Sequence, residues 1–85
     1  MVYTYIVQCI DGTLYTGWTV NLDKRLAAHN EGTGAKYTRC RLPVKLVYFE
    51  EQDNQSMAQK READIKKLSR CKKEALIKNF NNAGE

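Results

Sequence analysis

The sequence has few cysteines and no run of residues that could cross a membrane. Its three cysteines, Cys9, Cys40 and Cys71, are odd in number and far apart, and no C-x-x-C pair occurs. This argues against a disulfide framework and a zinc site, and it favours reduced thiols in the cytoplasm. No apolar run approaches the roughly 20 residues of a membrane-spanning helix. The amino-terminal segment lacks a basic lead-in and already has a strand pattern, so we expect no signal peptide.

Composition indicates one small soluble domain with a basic surface. The 85 residues are 42% apolar and 28% charged, and the net charge is +4. This charge permits a polyanionic partner without requiring one. The only histidine, His29, could pair with a cysteine as a catalytic dyad. That reading is disfavoured, because nothing near a cysteine in the sequence would activate a thiolate.

Hydrophobic patterning predicts the order β-β-α-β-α-α in a single domain over residues 1–80. Strands are predicted over 3–9, 13–20 and 44–50, and helices over 22–30, 56–69 and 71–80. An Asp11-Gly12 turn joins the first two strands into a hairpin. Asn21 is the predicted cap of the first helix, and Ser56 with Gln59 forms a capping box for the second. We therefore expect an α/β protein of the α+β type, with a three-stranded antiparallel sheet flanked by helices and a disordered tail over 81–85.

Two tyrosine-bearing segments lie on the predicted hairpin. Side chains alternate along a strand, so Tyr5 and Tyr15 can lie on one face and share a site. Packing in the core is the alternative. A phenol beside an arginine or a metal ion would have a lowered pKa and could take part in proton transfer. Gly17 indicates a bulge or a close approach of the backbone, and Trp18 fits either the core or a stacked base.

Arg25 and His29 are four residues apart, so they project from the same side of the first helix. They border Leu22 and Leu26, which should face the sheet. A guanidinium held there needs an anion, and a phosphate would bind it through two hydrogen bonds. An arginine paired with a carboxylate, beside a packed histidine, is the alternative.

Glu62 stands on an otherwise apolar helix face, with Ala58 and Ile65 at helical spacing around it. A carboxylate there is costly unless it meets a cation. Arg25 could supply that charge. So could a divalent ion such as Mg²⁺, which takes oxygen ligands and keeps several waters. An ion pair with Lys66, or a side chain directed to solvent, is the alternative.

A glycine-interrupted loop after the first helix carries a basic cluster. Lys36, Arg39 and Arg41 are interleaved with Tyr37, and aromatic residues among cations suit a nucleic-acid backbone with bases nearby. A second run of lysines and arginines over 66–73 is more typical of a solvated helix face. The loop therefore gives the better signal for nucleic-acid binding.

With these residues in view, the chain resembles the GIY-YIG nuclease domain over about residues 3–78, and most closely its small stand-alone bacterial members. Tyr3-Thr4-Tyr5 and Tyr15-Thr16-Gly17 stand for the two triplets, of which the first keeps only its tyrosine. Arg25 and His29 match the following helix, and Glu62 matches the metal-binding glutamate. The segment 34–39 is similar to a loop of the junction-cutting members.

The resemblance implies a metal-dependent endonuclease that hydrolyses DNA, branched or single-stranded DNA included, with one Mg²⁺ or Mn²⁺. The implied catalytic residues are Tyr5, Tyr15, Arg25, His29 and Glu62, with Glu62 as the metal ligand. The implied nucleic-acid contacts are Gly17, Lys36, Tyr37, Arg39 and Arg41. The asparagine that larger members carry late in the chain has three candidates here, Asn79, Asn81 and Asn82.

Two other functions remain open from the sequence. The domain could bind nucleic acid through the basic loop and leave any chemistry to a protein partner. It could also be an interaction protein with vestigial site residues, although a glutamate retained on an apolar face argues against that reading.

Overall fold

Three strands and three helices make up the fold, in the predicted order. The computed structural model describes the backbone of residues 1–83 and the side chains of residues 1–80. The elements are β1 (Val2–Gln8), β2 (Leu14–Thr19), α1 (Leu22–Asn30), β3 (Lys45–Gln52), α2 (Gln55–Lys66) and α3 (Arg70–Ala83). β1 is central in one antiparallel sheet of order β2-β1-β3. The predicted α+β class with a three-stranded antiparallel sheet is confirmed.

The first hairpin forms at the predicted turn. Cys9 N donates to Thr13 O and Gly12 N donates to Cys9 O, each at 2.9 Å. Gly12 has φ +85°, a left-handed conformation that glycine adopts at little steric cost. The Asp11 carboxylate accepts hydrogen bonds from the backbone N–H and the hydroxyl of Thr13. This turn sets the register of β2 on β1, and with it which side chains share a face.

Capping residues set both ends of α1, which spans the predicted residues. The Asn21 side chain accepts a hydrogen bond from Lys24 N at 3.0 Å, as an N-cap should. The chain leaves the helix through Gly32, which has φ +85°. Because both ends are fixed locally, the positions of Arg25 and His29 follow from the sequence of this segment.

The sheet separates two apolar clusters. The cluster on the α1 side contains Tyr5, Val7, Cys9 and Val44, with Leu22 and Leu26 packed against it. The cluster on the other side contains Ile6, Tyr48 and Ile65, with Leu76, Ile77 and Phe80 packed against it. Central β1 therefore contributes buried side chains to both faces.

The later elements depart from their predicted bounds. β3 begins one residue later and ends two residues later than the sequence indicates. α2 is capped by Asn54, whose side chain accepts from Met57 N at 2.9 Å, and not by Ser56. It ends at Lys66, three residues early. α3 continues to Ala83, so the backbone of 81–83 is helical where a disordered tail is predicted, and the last two residues of that tail lie outside the described chain.

An ion pair joins α2 to the sheet. Arg61 Nη2 lies 3.0 Å from Glu50 Oε2 on β3, and Arg61 Nε also donates to this carboxylate. The Tyr48 hydroxyl donates to the same carboxylate. Burial, together with the neighbouring negative charge, raises the pKa of Tyr48 to about 12. Tyr48 therefore stays protonated at neutral pH, and the network fixes α2 beside the sheet.

Thr16 in β2 offers a test of core packing. It is 3% exposed, and its hydroxyl has no hydrogen-bond partner among the described residues. A buried unpaired hydroxyl costs about 1–3 kcal/mol. Thr16→Val keeps the shape and removes the polar atom, so we expect the free energy of unfolding to rise by about 1 kcal/mol in urea denaturation.

Thr19→Val in the same strand is the matched control. The Thr19 hydroxyl donates to Asn21 O and accepts from Asn21 N, so its removal should lower stability. A loss of stability in Thr16→Val would instead show that this hydroxyl has a partner in solution.

The described chain has no helix of the length and apolar character that crossing a membrane requires. Cys9 is buried, and Cys40 and Cys71 are exposed.

Candidate active site

Tyr5 and Tyr15 lie on the same face of the sheet, as predicted. Tyr5 pairs with Gly17 and Val7 pairs with Tyr15, so the two tyrosines are diagonal neighbours across the β1–β2 ladder. His29 from α1 contacts both rings edge-on, with centroid distances of 5.9 Å to Tyr5 and 5.5 Å to Tyr15. The hairpin and the first helix therefore bring three of the predicted catalytic residues together.

A chain of hydrogen bonds runs from α1 through Tyr5 into the loop after the helix. Arg25 Nε donates to the Tyr5 hydroxyl at 3.3 Å, and that hydroxyl lies 2.9 Å from His29 Nε2. His29 Nδ1 lies 2.9 Å from the Thr38 hydroxyl, which donates to Ala35 O at 3.1 Å. The backbone carbonyl at the end can only accept, so the Thr38 hydroxyl donates to it and is left to accept from His29.

That direction sets the protonation state of His29. The Thr38 hydroxyl uses its proton on Ala35 O, so His29 Nδ1 must be the donor to Thr38. In the neutral imidazole, His29 Nε2 then accepts a hydrogen bond from the Tyr5 hydroxyl. Burial, and secondarily the charge of Arg25, lowers the pKa of His29, which agrees with this assignment. A neutral His29 is therefore held in place by hydrogen bonds to Tyr5 and Thr38.

The expected fall in the pKa of a phenol is wrong for Tyr5. Burial raises the pKa of Tyr5, and the hydrogen bond and charge of Arg25 only partly oppose that effect. At 2% exposure the phenol has lost most of its hydration, which disfavours the phenolate. Tyr5 is therefore a protonated donor that orients His29 and Arg25.

Gly17 is required by the approach of the Tyr5 phenol. A Cβ built on Gly17 would lie 2.6 Å from the Tyr5 hydroxyl oxygen and 2.8 Å from Cζ. The register of β1 on β2 is continuous through Gly17, so there is no bulge at this position. The close approach anticipated from the sequence therefore comes from a side chain of the protein itself. Gly34 has a similar role, because a Cβ there would lie 2.5 Å from His29 Nδ1.

Arg25 does not pair with a carboxylate among the described residues. Its Nε is used by Tyr5, and the ion pairs of the described chain involve other residues. Arg25 is only partly buried and lines two surface cavities. Its two terminal nitrogens therefore remain for an external anion, and a phosphate matches their geometry.

The cation beside Glu62 is Lys66. Lys66 Nζ lies 2.8 Å from Glu62 Oε1, and the Glu62 side chain is 18% exposed. The same ammonium lies 5.9 Å from the centre of the Tyr15 ring. Arg25, the partner considered from the sequence, makes no such pair with Glu62, whereas the alternative ion pair is present. The negative charge of Glu62 also contributes, as the smallest of the causes, to the raised pKa of Tyr5.

The donor set around Glu62 fits a hard divalent ion that keeps most of its water. Among the described residues, no group of three or more His, Cys, Asp or Glu side chains is placed to hold a metal ion. A single accessible carboxylate suits Mg²⁺, which often binds proteins through one or two carboxylates. Lys66 is half exposed and contacts one oxygen of this carboxylate, so a cation at Glu62 would compete with the ammonium.

The basic loop divides into two parts. Lys36 and Arg39 are exposed. Tyr37 stacks on Tyr15, with a centroid distance of 5.9 Å and an interplanar angle of 20°. Arg41 is folded back: its guanidinium carbon lies 4.2 Å from the centre of the Tyr37 ring, and Nε lies 3.1 Å from Asp11 Oδ2. The loop is thus tied to Tyr15 through Tyr37.

Sequence reasoning missed Thr38 and Gly34 as supports of His29, whereas it named Lys66 as the alternative partner of Glu62. Thr38 is fully buried and orients His29, yet its loop shows no periodic pattern that would indicate burial. The glycines at 32 and 34 were the available signal that this loop packs closely on α1. Of the candidate late asparagines, Asn79 is exposed on α3, and the side chains of Asn81 and Asn82 lie outside the described residues.

The chain is similar to known proteins along most of its length. Residues 1–75 match the model of the GIY-YIG catalytic domain. A UPF0213 protein of Clostridium perfringens is 62% identical over 77 residues, which are 91% of this chain and 83% of that protein. A UPF0213 protein of Natronomonas pharaonis is 55% identical over 75 residues, which are 88% of each chain.

The chain is also similar to two solved structures over most of its length. The solution NMR structure of a UPF0213 protein from Bacillus halodurans is 44% identical with a TM-score of 0.58, and the match covers 92% of this chain and 84% of that one. The solution NMR structure of a protein from E. faecalis is 44% identical with a TM-score of 0.60, covering 93% and 84%. The chain therefore belongs to the GIY-YIG family.

Proposed function

We propose that this protein is a metal-dependent endonuclease that hydrolyses phosphodiester bonds in DNA. The observation that carries the proposal is the arrangement of Arg25. Its Nε is fixed by Tyr5 while its terminal nitrogens have no carboxylate partner among the described residues. A guanidinium held in this way, beside a tyrosine pair and an accessible glutamate, is suited to a phosphate whose negative charge increases during reaction.

Each residue of the site has a separate role in the proposed reaction. Arg25 binds the scissile phosphate and neutralises charge that builds on it. Tyr15 orients the attacking water and, in its ionised form, accepts the water proton to become a phenol, while Tyr5 and His29 hold the guanidinium in place. The water oxygen bonds to phosphorus as the bond to the leaving oxygen breaks. With Mg²⁺ or Mn²⁺ bound to Glu62, the ion supplies stabilisation of charge on that leaving oxygen.

The exposed loop extends the contact with DNA beyond the scissile phosphate. Lys36 and Arg39 point their charges to solvent and suit flanking phosphates. Arg41 contributes by holding Tyr37 against Tyr15. Gly17 contributes by leaving room for the Tyr5 phenol. Binding through this loop should weaken as salt concentration rises.

A cleavage assay tests the function. Protein free of host nucleases is incubated with linear, flap, junction and single-stranded DNA, with Mg²⁺, Mn²⁺ or a chelator. We expect metal-dependent cleavage of at least one substrate, and a fall of about tenfold in Arg25→Lys, because lysine keeps the charge but loses the two-pronged hydrogen bonding. Arg70→Lys, at an exposed arginine of α3, should cut at the wild-type rate. Failure of the wild type to cut any of these DNAs with either ion would refute the proposal.

A second candidate is a nucleic-acid-binding module without activity of its own. The pairing of Glu62 with Lys66 favours it, because this carboxylate already has a counter-charge. Such a module would show salt-dependent binding that neither metal nor the loss of Glu62 alters. Metal-dependent cleavage would exclude it.

A further inference from the structure

Trp18 is the only tryptophan of the chain, and the site described above does not use it. It lies in β2, an edge strand whose outer side has no partner strand in the described sheet. Trp18 is half-buried, and the following Val20 is 67% exposed. An aromatic and an aliphatic side chain are thus presented together at the open edge of the sheet.

Two adjoining cavities connect Trp18 with Arg25. The first has a volume of about 370 Å³ and is lined by Trp18, Thr19, Val20 and Arg25. The second, of about 240 Å³, shares Thr19, Val20 and Arg25 and continues along α1 past Asn21, Lys24 and Ala28. The shared residues make one groove, called the Trp18 groove below. Both parts are open to solvent.

The lining of the Trp18 groove has one aromatic end and one cationic side. Arg25 and Lys24 are positive, and no acidic side chain of the described chain lines either cavity. Arg25 is also the residue bound to the Tyr5 hydroxyl, so the groove and the candidate catalytic centre share this side chain. Trp18 and Arg25 line the first part and Lys24 lines the second, so an indole and two cations follow one another along the groove. This order suits a nucleotide, which has a flat base and a negative phosphate.

We propose that the Trp18 groove binds one unpaired nucleotide of DNA next to the phosphate held by Arg25. The base stacks on Trp18, and the following phosphate lies against Lys24. A base inside a duplex is stacked on its neighbours and is not free to enter, so the groove selects DNA with unpaired bases near the cut. This inference rests on the proposed function for its placement of the scissile phosphate.

The single tryptophan reports directly on the groove. The protein is titrated in a chelator with an oligothymidylate of about ten nucleotides, within the site sizes of single-strand binders. We expect quenching of the tryptophan emission and protection from acrylamide, with little change for a hairpin duplex of matched length. Emission that stays unchanged at saturating oligonucleotide would overturn the proposal.

Substitutions separate stacking from structural support. By fluorescence anisotropy of labelled oligothymidylate, Trp18→Ala should weaken binding about tenfold, whereas Trp18→Phe, which keeps an aromatic face, should stay within about threefold of wild type. Thermal denaturation of both variants shows whether the fold is kept. An equal loss of duplex and single-strand binding in Trp18→Ala would contradict selection of an unpaired base.

The same experiments distinguish this inference from the proposed activity. Quenching by oligothymidylate in a protein that cuts nothing would support the groove while refuting the nuclease. Cleavage with no change in tryptophan emission would support the nuclease and refute the nucleotide site in the groove. Sedimentation could instead show a dimer that persists with oligonucleotide, with Trp18 protected from acrylamide in that dimer. This result would show that a second copy occupies the β2 edge, and it would overturn the nucleotide site.

Discussion

Glu62→Gln is expected to abolish metal-dependent cleavage, with a loss of at least about 100-fold, the scale seen when a charge-stabilising group is removed from a reacting centre. The amide keeps the size of the side chain and removes the charge that would bind Mg²⁺ or Mn²⁺. The fold should survive, because the ion pair that is lost involves a half-exposed Lys66 and is worth about 1 kcal/mol at most. Cleavage rates over a metal titration, with thermal denaturation alongside, measure both effects.

The chain contains a close control for this substitution. Glu74 pairs with Arg70 at 2.8 Å in α3, with the same i,i+4 spacing and the same distance as the Glu62–Lys66 pair. Glu74→Gln removes an equivalent ion pair on an exposed surface, so it should leave cleavage unchanged. Binding of Mn²⁺, followed by electron paramagnetic resonance, should weaken in Glu62→Gln alone. Wild-type cleavage by Glu62→Gln would remove Glu62 from the mechanism.

Gly17→Ala should disable the site without touching any polar side chain. The new methyl would meet the Tyr5 hydroxyl oxygen at 2.6 Å and Cζ at 2.8 Å. Tyr5 is fully packed, so overpacking should cost about 1–3 kcal/mol of stability. Movement of the phenol would also displace Arg25 and His29, and a displacement of about 1 Å can cost roughly 100-fold in rate.

A double-mutant cycle with Tyr5→Phe tests the cause. Phenylalanine lacks the hydroxyl oxygen that makes the closest contact, so part of the stability lost in Gly17→Ala should return in the double variant. Activity should not return in the double variant, because phenylalanine lacks the hydroxyl that bonds to Arg25 and His29. Independent, additive effects on stability would show that the methyl is accommodated by another movement.

The hairpin and α1 were predictable because their signals are local. A two-residue period places Tyr5 and Tyr15 on one face, and a four-residue step places Arg25 and His29 on one side of a helix. Caps at Asn21 and Gly32 then fix where that helix starts and stops. These parts of the site follow from residues that are close together in the chain.

The rest depends on contacts that local patterns do not encode. The predicted cap of α2 is Ser56, but the helix begins after Asn54, whose side chain accepts from Met57 N. The partner of Glu62 was open between three cations until α2 was placed relative to α1. Thr38 lies in a loop without periodicity, so its burial depends on contact with His29 from the preceding helix. The raised pKa of Tyr5 likewise follows from burial, which the sequence pattern shows only in part.

The Glu62–Lys66 pair has a consequence for how the protein behaves without metal. A carboxylate that is mostly shielded from water would otherwise be left uncompensated whenever the ion departs. The ammonium 2.8 Å away supplies that compensation from within the same helix. The fold of this site therefore does not depend on a bound metal for charge balance, in contrast to small domains whose structure collapses on chelation. In the proposed nuclease, an ion at Glu62 would compete with Lys66 for the carboxylate, so we expect occupancy to follow the free Mg²⁺ or Mn²⁺ concentration.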